Sequence, residues 1–577
     1  MGEAPYGVDA AFPAVEDEAR PTVSAGGVAR RCAGRSLAHA AWWAVPVLIS
    51  LAVMLPRLLS AHFGLLDDAR TLLTARDITS GSWDMSWDIE AGRFRPGYWL
   101  FPALLYALVG QNPVGFFAGN AALFAGTTAA LLWLVRLRGG SRLEAWIAGS
   151  LFALAGPAIE GYYTLSKGET LQVAFLVLSL VGAERLLTVT SKKARWLAGG
   201  LTFVALLGAV SSKETTLVLA PVVALWVLVA WLFRRRAGGS ERLRARWILL
   251  GLSLAAAAVY LAVRGMVLGG GLGEGTYASR YDLSPQGLLA SGVRLTGWML
   301  RGYPHLLPLA LLAPWPLSML RQDPRTPALL EDTIWIAGWV GAFLPWRFTS
   351  EYYLLPAALG CALLGGRLVA MAVISLRSSS GASRWAARGA LALGAVGFVL
   401  TLPNNLTSAR VQLAVDAANA EAIGYVADHL PAGSQLIVNL QTAREYYEIM
   451  GIYLVDLLGR PDLSIDFFNF QDLRKLARDR AAVYVLSPFV SGKPYFTVRV
   501  GVGEAETEQW NESLFRLAGA DLDLLVEIGR DFGRLSIDLP AALCPVLRRS
   551  AFCATPRPVI DAGAFSYGWR LYEVREP

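Results

Sequence analysis

Runs of about 20 consecutive apolar residues recur through the first 400 positions of this 577-residue chain. Each is long enough to cross roughly 30 Å of hydrocarbon. Only 17% of the residues are charged, against roughly 25% in a soluble chain, so lipid is the solvent for most of the sequence. A purely soluble enzyme, a secreted disulfide scaffold and a disordered chain are excluded. The pattern is that of a polytopic membrane protein.

The net charge of +7 would ordinarily raise nucleic acid as a partner. Its distribution removes that reading. Residues 1–410 hold 36 Lys and Arg against 23 Asp and Glu, whereas residues 411–577 hold 16 against 22. The positive excess lies between apolar runs, where the positive-inside rule places it. It reports topology, with the lipid bilayer as partner and no nucleic acid.

Basic residues between runs set the sidedness. Spans are expected near 40–60, 113–135, 143–162, 170–187, 196–211, 215–233, 247–267, 304–320, 331–346, 352–376 and 387–403. This makes about 11 spans, with the N-terminus inside and the C-terminus outside. Segments 97–111 and 286–302 read as helices at the outer interface; if both span, the count becomes about 13 and the termini keep their sides. The sequence thus divides into a disordered cytoplasmic tail (1–38), a membrane domain (39–405) with a first external loop at 61–112, and an external α/β domain (411–577). In the last, "SQLIVNL" (434–440) and "AAVYVLS" (481–487) read as strands between helices near 411–430, 443–458 and 507–517. The expected location is the plasma membrane. Cys544 and Cys553 are spaced for a disulfide in an oxidising compartment, the alternative being two separate buried thiols.

No P-loop, H-E-x-x-H helix or dinucleotide fingerprint is present. The informative residues are polar groups at external ends of spans, where ionisable side chains are costly and usually functional. The first loop opens "HFGLLDDARTLL" and places Asp67 and Asp68 just past the first span. Such a pair suits a general base with a partner, or a metal site for Mg²⁺ or Mn²⁺; a plain helix cap is the alternative. Farther on come Trp83, Trp87 and "GRFRPGYWLFP" with Arg93 and Arg95, fit for an anionic or sugar ligand or for interfacial anchoring. Only six Lys stand beside 46 Arg, yet Lys167 (with Glu169) and Lys213 (with Glu214) both fall in outward turns. Each suits a phosphate; a local exposed ion pair, worth about 0–1 kcal/mol, is the alternative. The external stretch before residue 286 adds Arg280, and "WRFTSEYYLLP" adds Arg347, Tyr352 and Tyr353.

In this order and sidedness, the first-loop Asp pair, "GRFRP", the acidic residue entering the fourth span, "SKE" and the late "R…YYLLP" resemble GT-C glycosyltransferases. That superfamily includes protein O-mannosyltransferases, lipid A aminoarabinose transferases and arabinofuranosyltransferases. The resemblance covers roughly residues 40–403. It implies a sugar carried on a polyprenyl monophosphate and transferred, on the external face, to a glycan, lipid or protein acceptor. It further implies that Asp67 takes the place of the catalytic loop-one Asp and Glu169 that of the second acidic residue. Lys213, Arg347 and the neighbouring tyrosines match positions that hold the lipid phosphate. No cofactor is required by this chemistry, since Lys and Arg stabilise a phosphate leaving group. A transporter or lipid flippase is the competing class, but it calls for charges near the bilayer midplane and for repeats.

Overall fold

The computed structural model describes residues 43–65, 67–83, 88–89, 92–235, 239–269, 281–312, 326–346, 350–378, 381–438, 449–467, 482–491, 522–537 and 560–575. Contacts divide the chain after Ala44. In the N-terminal unit only Trp43 and Ala44 are described, and both are helical. The unit from Val45 onward holds the bundle, the cavity and the sheet.

Every apolar segment read as a span carries helix. In chain order the helices are α1 (Trp43–Leu59), α2 (Asp68–Ser80), α3 (Pro96–Val109), α4 (Pro113–Leu137), α5 (Arg142–Ala153), α6 (Gly156–Tyr162), α7 (Gly168–Thr188) and α8 (Lys192–Ser212). A 3₁₀ turn, Glu214–Val218, leads into α9 (Leu219–Leu232), α10 (Gly239–Leu268), α11 (Pro285–Gly302), α12 (Leu306–Leu312) and α13 (Thr326–Gly341). A second 3₁₀ turn, Glu351–Leu354, opens α14 (Leu355–Ser378), and α15 (Ala382–His429) follows. Among the described residues, seven helical stretches are long and apolar enough to cross a membrane. Their starts are written in the sequence. Asn112, Ser141, Ser191 and Ser284 each accept an amide of the first turn, and Pro113 and Pro285 occupy positions where the missing N–H costs nothing.

Two segments depart from expectation. The span expected at 143–162 is broken into α5 and α6, because Pro157 has no amide hydrogen and fits only a helix's first turn. The segment expected to end at 403 instead runs through Pro403 as α15, a single helix of 48 residues and about 72 Å. The composition change after Pro403 marks a change of solvent along one helix. Ala- and Glu-containing helix formers continue it into the region of the sheet.

That sheet has the order β2-β1-β3-β5-β4. Strand β1 (Gln435–Val438) lies parallel to β2 (Ser464–Phe467) and β3 (Val483–Ser491); β5 (Ile560–Val574) lies antiparallel to β3 and to β4 (Leu522–Ile537). The strands expected from 434–440 and 481–487 are β1 and β3. The expected helix at 507–517 lies outside the described residues, as do Cys544, Cys553 and Trp87. Asn419 of α15 fixes β5, its Oδ1 accepting from Tyr567 Oη at 2.7 Å and Trp569 Nε1 at 2.9 Å.

At one end of the bundle, buried charges join the end of α4 to α5, α7, α10, α13 and α14. Arg246 bridges Glu184 and Glu331, each at 2.8 Å; Arg138 lies 3.2 Å from Glu184; Arg367 lies 3.1 Å from Asp332 and 3.2 Å from Glu144. Buried ions persist only when paired in this way. Arg264 stands on the same helix α10 as Arg246, about 27 Å away along its axis, and lines the cavity at the other end.

Candidate active site

Three turns meet at that other end, two of them through a close backbone approach. A Cβ on Gly168 would fall 2.6 Å from the carbonyl oxygen of Ser212, so only glycine lets the start of α7 pack on the end of α8. This brings Lys167, at the N-cap of α7, beside Lys213, which links α8 to the first 3₁₀ turn. The second 3₁₀ turn lays two tyrosines beneath them. Lys167 Nζ sits 4.5 Å from the Tyr352 ring centroid and Lys213 Nζ 4.9 Å from that of Tyr353. The two rings are 4.5 Å apart, and their faces attract the ammonium groups.

The ion pairs are not the local ones that spacing suggested. Lys213 Nζ lies 2.7 Å from Glu169 Oε1, and Lys167 Nζ 3.6 Å from Asp67 Oδ2. Glu214 pairs with Arg95, whose Nε reaches its two oxygens at 3.0 and 2.8 Å. Nor is the Lys213 pair exposed: the side chains are 10% and 1% accessible. Burial draws the Lys213 ammonium below its usual range, while Glu169 works against that shift.

These groups line a cavity of about 1010 Å³ together with Arg93, Arg95, Glu214, Tyr352 and Tyr353. The "GRFRP" loop is held over it from α10. Tyr260 Oη donates to the Phe94 carbonyl at 2.8 Å and Arg264 Nη2 to the Gly92 carbonyl at 2.9 Å. Arg93 stands 3.5 Å from Asp88, whose carboxyl is raised by burial against the pull of Arg93. Trp83 is partly buried, edge-on to Trp99 at 5.2 Å between centroids.

Asp67 and Asp68 face different surroundings. The Asp67 side chain is half exposed and lines the cavity. Asp68 is fully buried, its Oδ2 accepts the Gly64 amide at 2.7 Å, and it is not among the cavity-lining residues. Burial, then the nearby Asp416 carboxylate, push Asp68 up to about 7. Among the described residues no group of three or more His, Cys, Asp and Glu is arranged to hold a metal. Of the other expected residues, Arg280 and Arg347 lie outside the described residues.

Sequence reasoning missed several cavity residues. Arg264 is an ionisable group inside the apolar stretch "VYLAVRGMV", a signal in its own right. Arg70, Asp77 and Asp88 lie in the first loop without a motif to single them out. Ile452, Val455 and Asp456 reach the cavity from the C-terminal part of the chain, which no local pattern foretells.

No family model and no curated protein sequence matches the chain. Similar folds occur among solved structures. ArnT from Cupriavidus metallidurans bound to undecaprenyl phosphate is 13% identical with a TM-score of 0.45, over 77% of this chain and 93% of that one. The Archaeoglobus fulgidus oligosaccharyltransferase in its apo form is 12% identical with a TM-score of 0.48, over 93% of this chain and 88% of that one. The archaeal oligosaccharyltransferase AglB, in complex with an inhibitory peptide and a dolichol-phosphate, is 13% identical with a TM-score of 0.44, over 74% and 64%.

Proposed function

We propose that this chain is a membrane glycosyltransferase. It moves a sugar from a polyprenyl-monophosphate donor to an acceptor hydroxyl on the extracytoplasmic face, with inversion at the anomeric carbon. The observation that carries the reading is the adjacency of Asp67 and Lys167 at 3.6 Å, in one cavity with Lys213. A base and the cations for a leaving phosphate then line one cavity.

The Asp67 carboxylate takes the proton of the acceptor hydroxyl as its oxygen bonds to the anomeric carbon. The bond from that carbon to the phosphate oxygen breaks, and its electron pair leaves with the polyprenyl phosphate. Lys167 and Lys213, steadied on Tyr352 and Tyr353, stabilise the departing anion. Arg95, fixed on Glu214, and Arg93 supply further polar contacts for sugar hydroxyls or phosphate. A donor anchored in the bilayer also suits a compartment without nucleotide sugars.

Deleting the chain from its host should cause a polyprenyl-phosphate-linked sugar to accumulate, read by mass spectrometry of extracted lipids. An unchanged pool of lipid-linked sugars would sink the reading.

A further inference from the structure

Asp67 has φ +61° and ψ −22°, and among the described residues it is the one non-glycine with positive φ. A left-handed aspartate persists only when its surroundings fix it, and such residues cluster at functional sites. What fixes it here comes from both sides. Downstream, the Asp67 carbonyl accepts from the Thr71 amide and hydroxyl, each at 2.9 Å. Upstream, Gly64 donates its amide to Asp68 Oδ2 at 2.7 Å and accepts at its carbonyl from Tyr453 Oη at 2.6 Å.

Tyr453 belongs to the C-terminal domain, in the π-helix Ile452–Leu457, a rare conformation frequent at functional sites. Other contacts run the same way. A Cβ on Gly64 would lie 3.1 Å from both Asp68 Oδ2 and Asp416 Oδ1, so the turn is enclosed by two carboxylates. Asp416 is held by Arg57 and by Gln412, each at 2.7 Å. Leu65, Ala69 and Leu72 share a core with Met450 and Leu454, and Arg76 Nη1 donates to the Asp456 carbonyl at 2.8 Å.

We infer that Tyr453 and Asp68 are positioning residues for Asp67, and that the C-terminal domain serves as the rigid support of the catalytic loop. The inference rests on the proposed role of Asp67. Two hydrogen bonds on Gly64 hold the turn from opposite sides, one from within the loop and one from the domain. The carboxylate they aim is three positions farther on.

The test uses the full chain, the lipid-linked sugar that accumulates in the deletion host, and that host's membranes as acceptor. Tyr453→Phe keeps the ring and removes the hydroxyl. It should lower kcat about 10-fold with the donor KM nearly unchanged. Amide exchange in peptides covering 61–75 should rise while the midpoint of thermal unfolding holds. Asp68→Ala should cost about 100-fold in kcat, and Asp68→Asn, which keeps an oxygen for the Gly64 amide, should recover most of it. Wild-type kcat and wild-type exchange in Tyr453→Phe overturn the inference, as does an Asp68→Asn variant no better than Asp68→Ala. Asp67→Asn is measured alongside: normal turnover there refutes the catalytic reading itself, while the exchange data still decide whether Tyr453 holds the loop.

Discussion

Lys213 Nζ lies 2.7 Å from Glu169 Oε1, across two turns, while its sequence neighbour Glu214 is held by Arg95. The pairing ties the start of α7 to the end of α8, and it is buried. An anionic ligand entering the cavity therefore meets a lysine that already has a counter-charge, and binding requires that pair to open or to share its ammonium.

Lys213→Ala is then expected to act on both stability and binding. It leaves Glu169 buried without its cation, which costs about 3–5 kcal/mol, far above the value for an exposed pair. The unfolding midpoint should fall, and affinity for a polyprenyl phosphate should weaken. Adding Glu169→Gln should restore much of the stability and none of the affinity. A single variant with wild-type melting and wild-type affinity would remove Lys213 from the site.

Asp68 makes stability depend on pH in a stated direction. Its carboxyl is raised from 3.8 to about 7, so the folded chain holds a proton that the unfolded chain releases. The contribution is fully present below 3.8 and is lost as pH rises through about 7. Asn at this position cannot ionise. The stability of Asp68→Asn relative to wild type should therefore improve by about 2–3 kcal/mol between pH 5 and pH 8. A relative stability of Asp68→Asn that stays flat across this range, or that moves in wild type's favour, shows that Asp68 is ionised in the folded chain at all these values.

The charge cluster at the far end of the bundle should separate stability from chemistry. Glu331→Gln strips the two-oxygen partner from Arg246, both groups being about 1% exposed. It should lower the unfolding midpoint as strongly as Lys213→Ala while polyprenyl phosphate affinity holds. A selective loss of affinity would place this cluster in communication with the cavity.

Much of the architecture was legible in the sequence, because length and apolarity are enough to mark a membrane helix and Pro113, Ser141 and Pro285 mark where helices start. The break at Pro157 is masked in the sequence by the apolar run that continues through it. The continuity of α15 was hidden by a change of composition that altered the surroundings of the helix and left its secondary structure intact. The site divides in the same way. Asp67, Glu169, Lys167, Lys213, Tyr352 and Tyr353 stand out in the sequence as polar groups at the ends of apolar runs, and all six line one cavity. Their true partners depend on how turns meet in space, as Gly168 against Ser212 shows. The different fates of Asp67 and Asp68 follow from one left-handed backbone angle, which no residue pattern announced.

Topology is checked by thiol labelling in a cysteine-free background. Ser240→Cys, in the first turn of α10, should resist impermeant reagents in intact cells, and Ala432→Cys, before β1, should react. The opposite pattern would put the cavity on the cytoplasmic side.

The central claim is that Asp67 removes the acceptor proton. The most direct measurement is sugar transfer by purified Asp67→Asn, with donor binding followed in the same preparation. The amide keeps the side chain's shape and loses the base, so donor affinity should persist while turnover falls about 10²–10⁴-fold. Near-normal turnover, with donor and acceptor both saturating, would contradict the mechanism and return the transporter reading to the front.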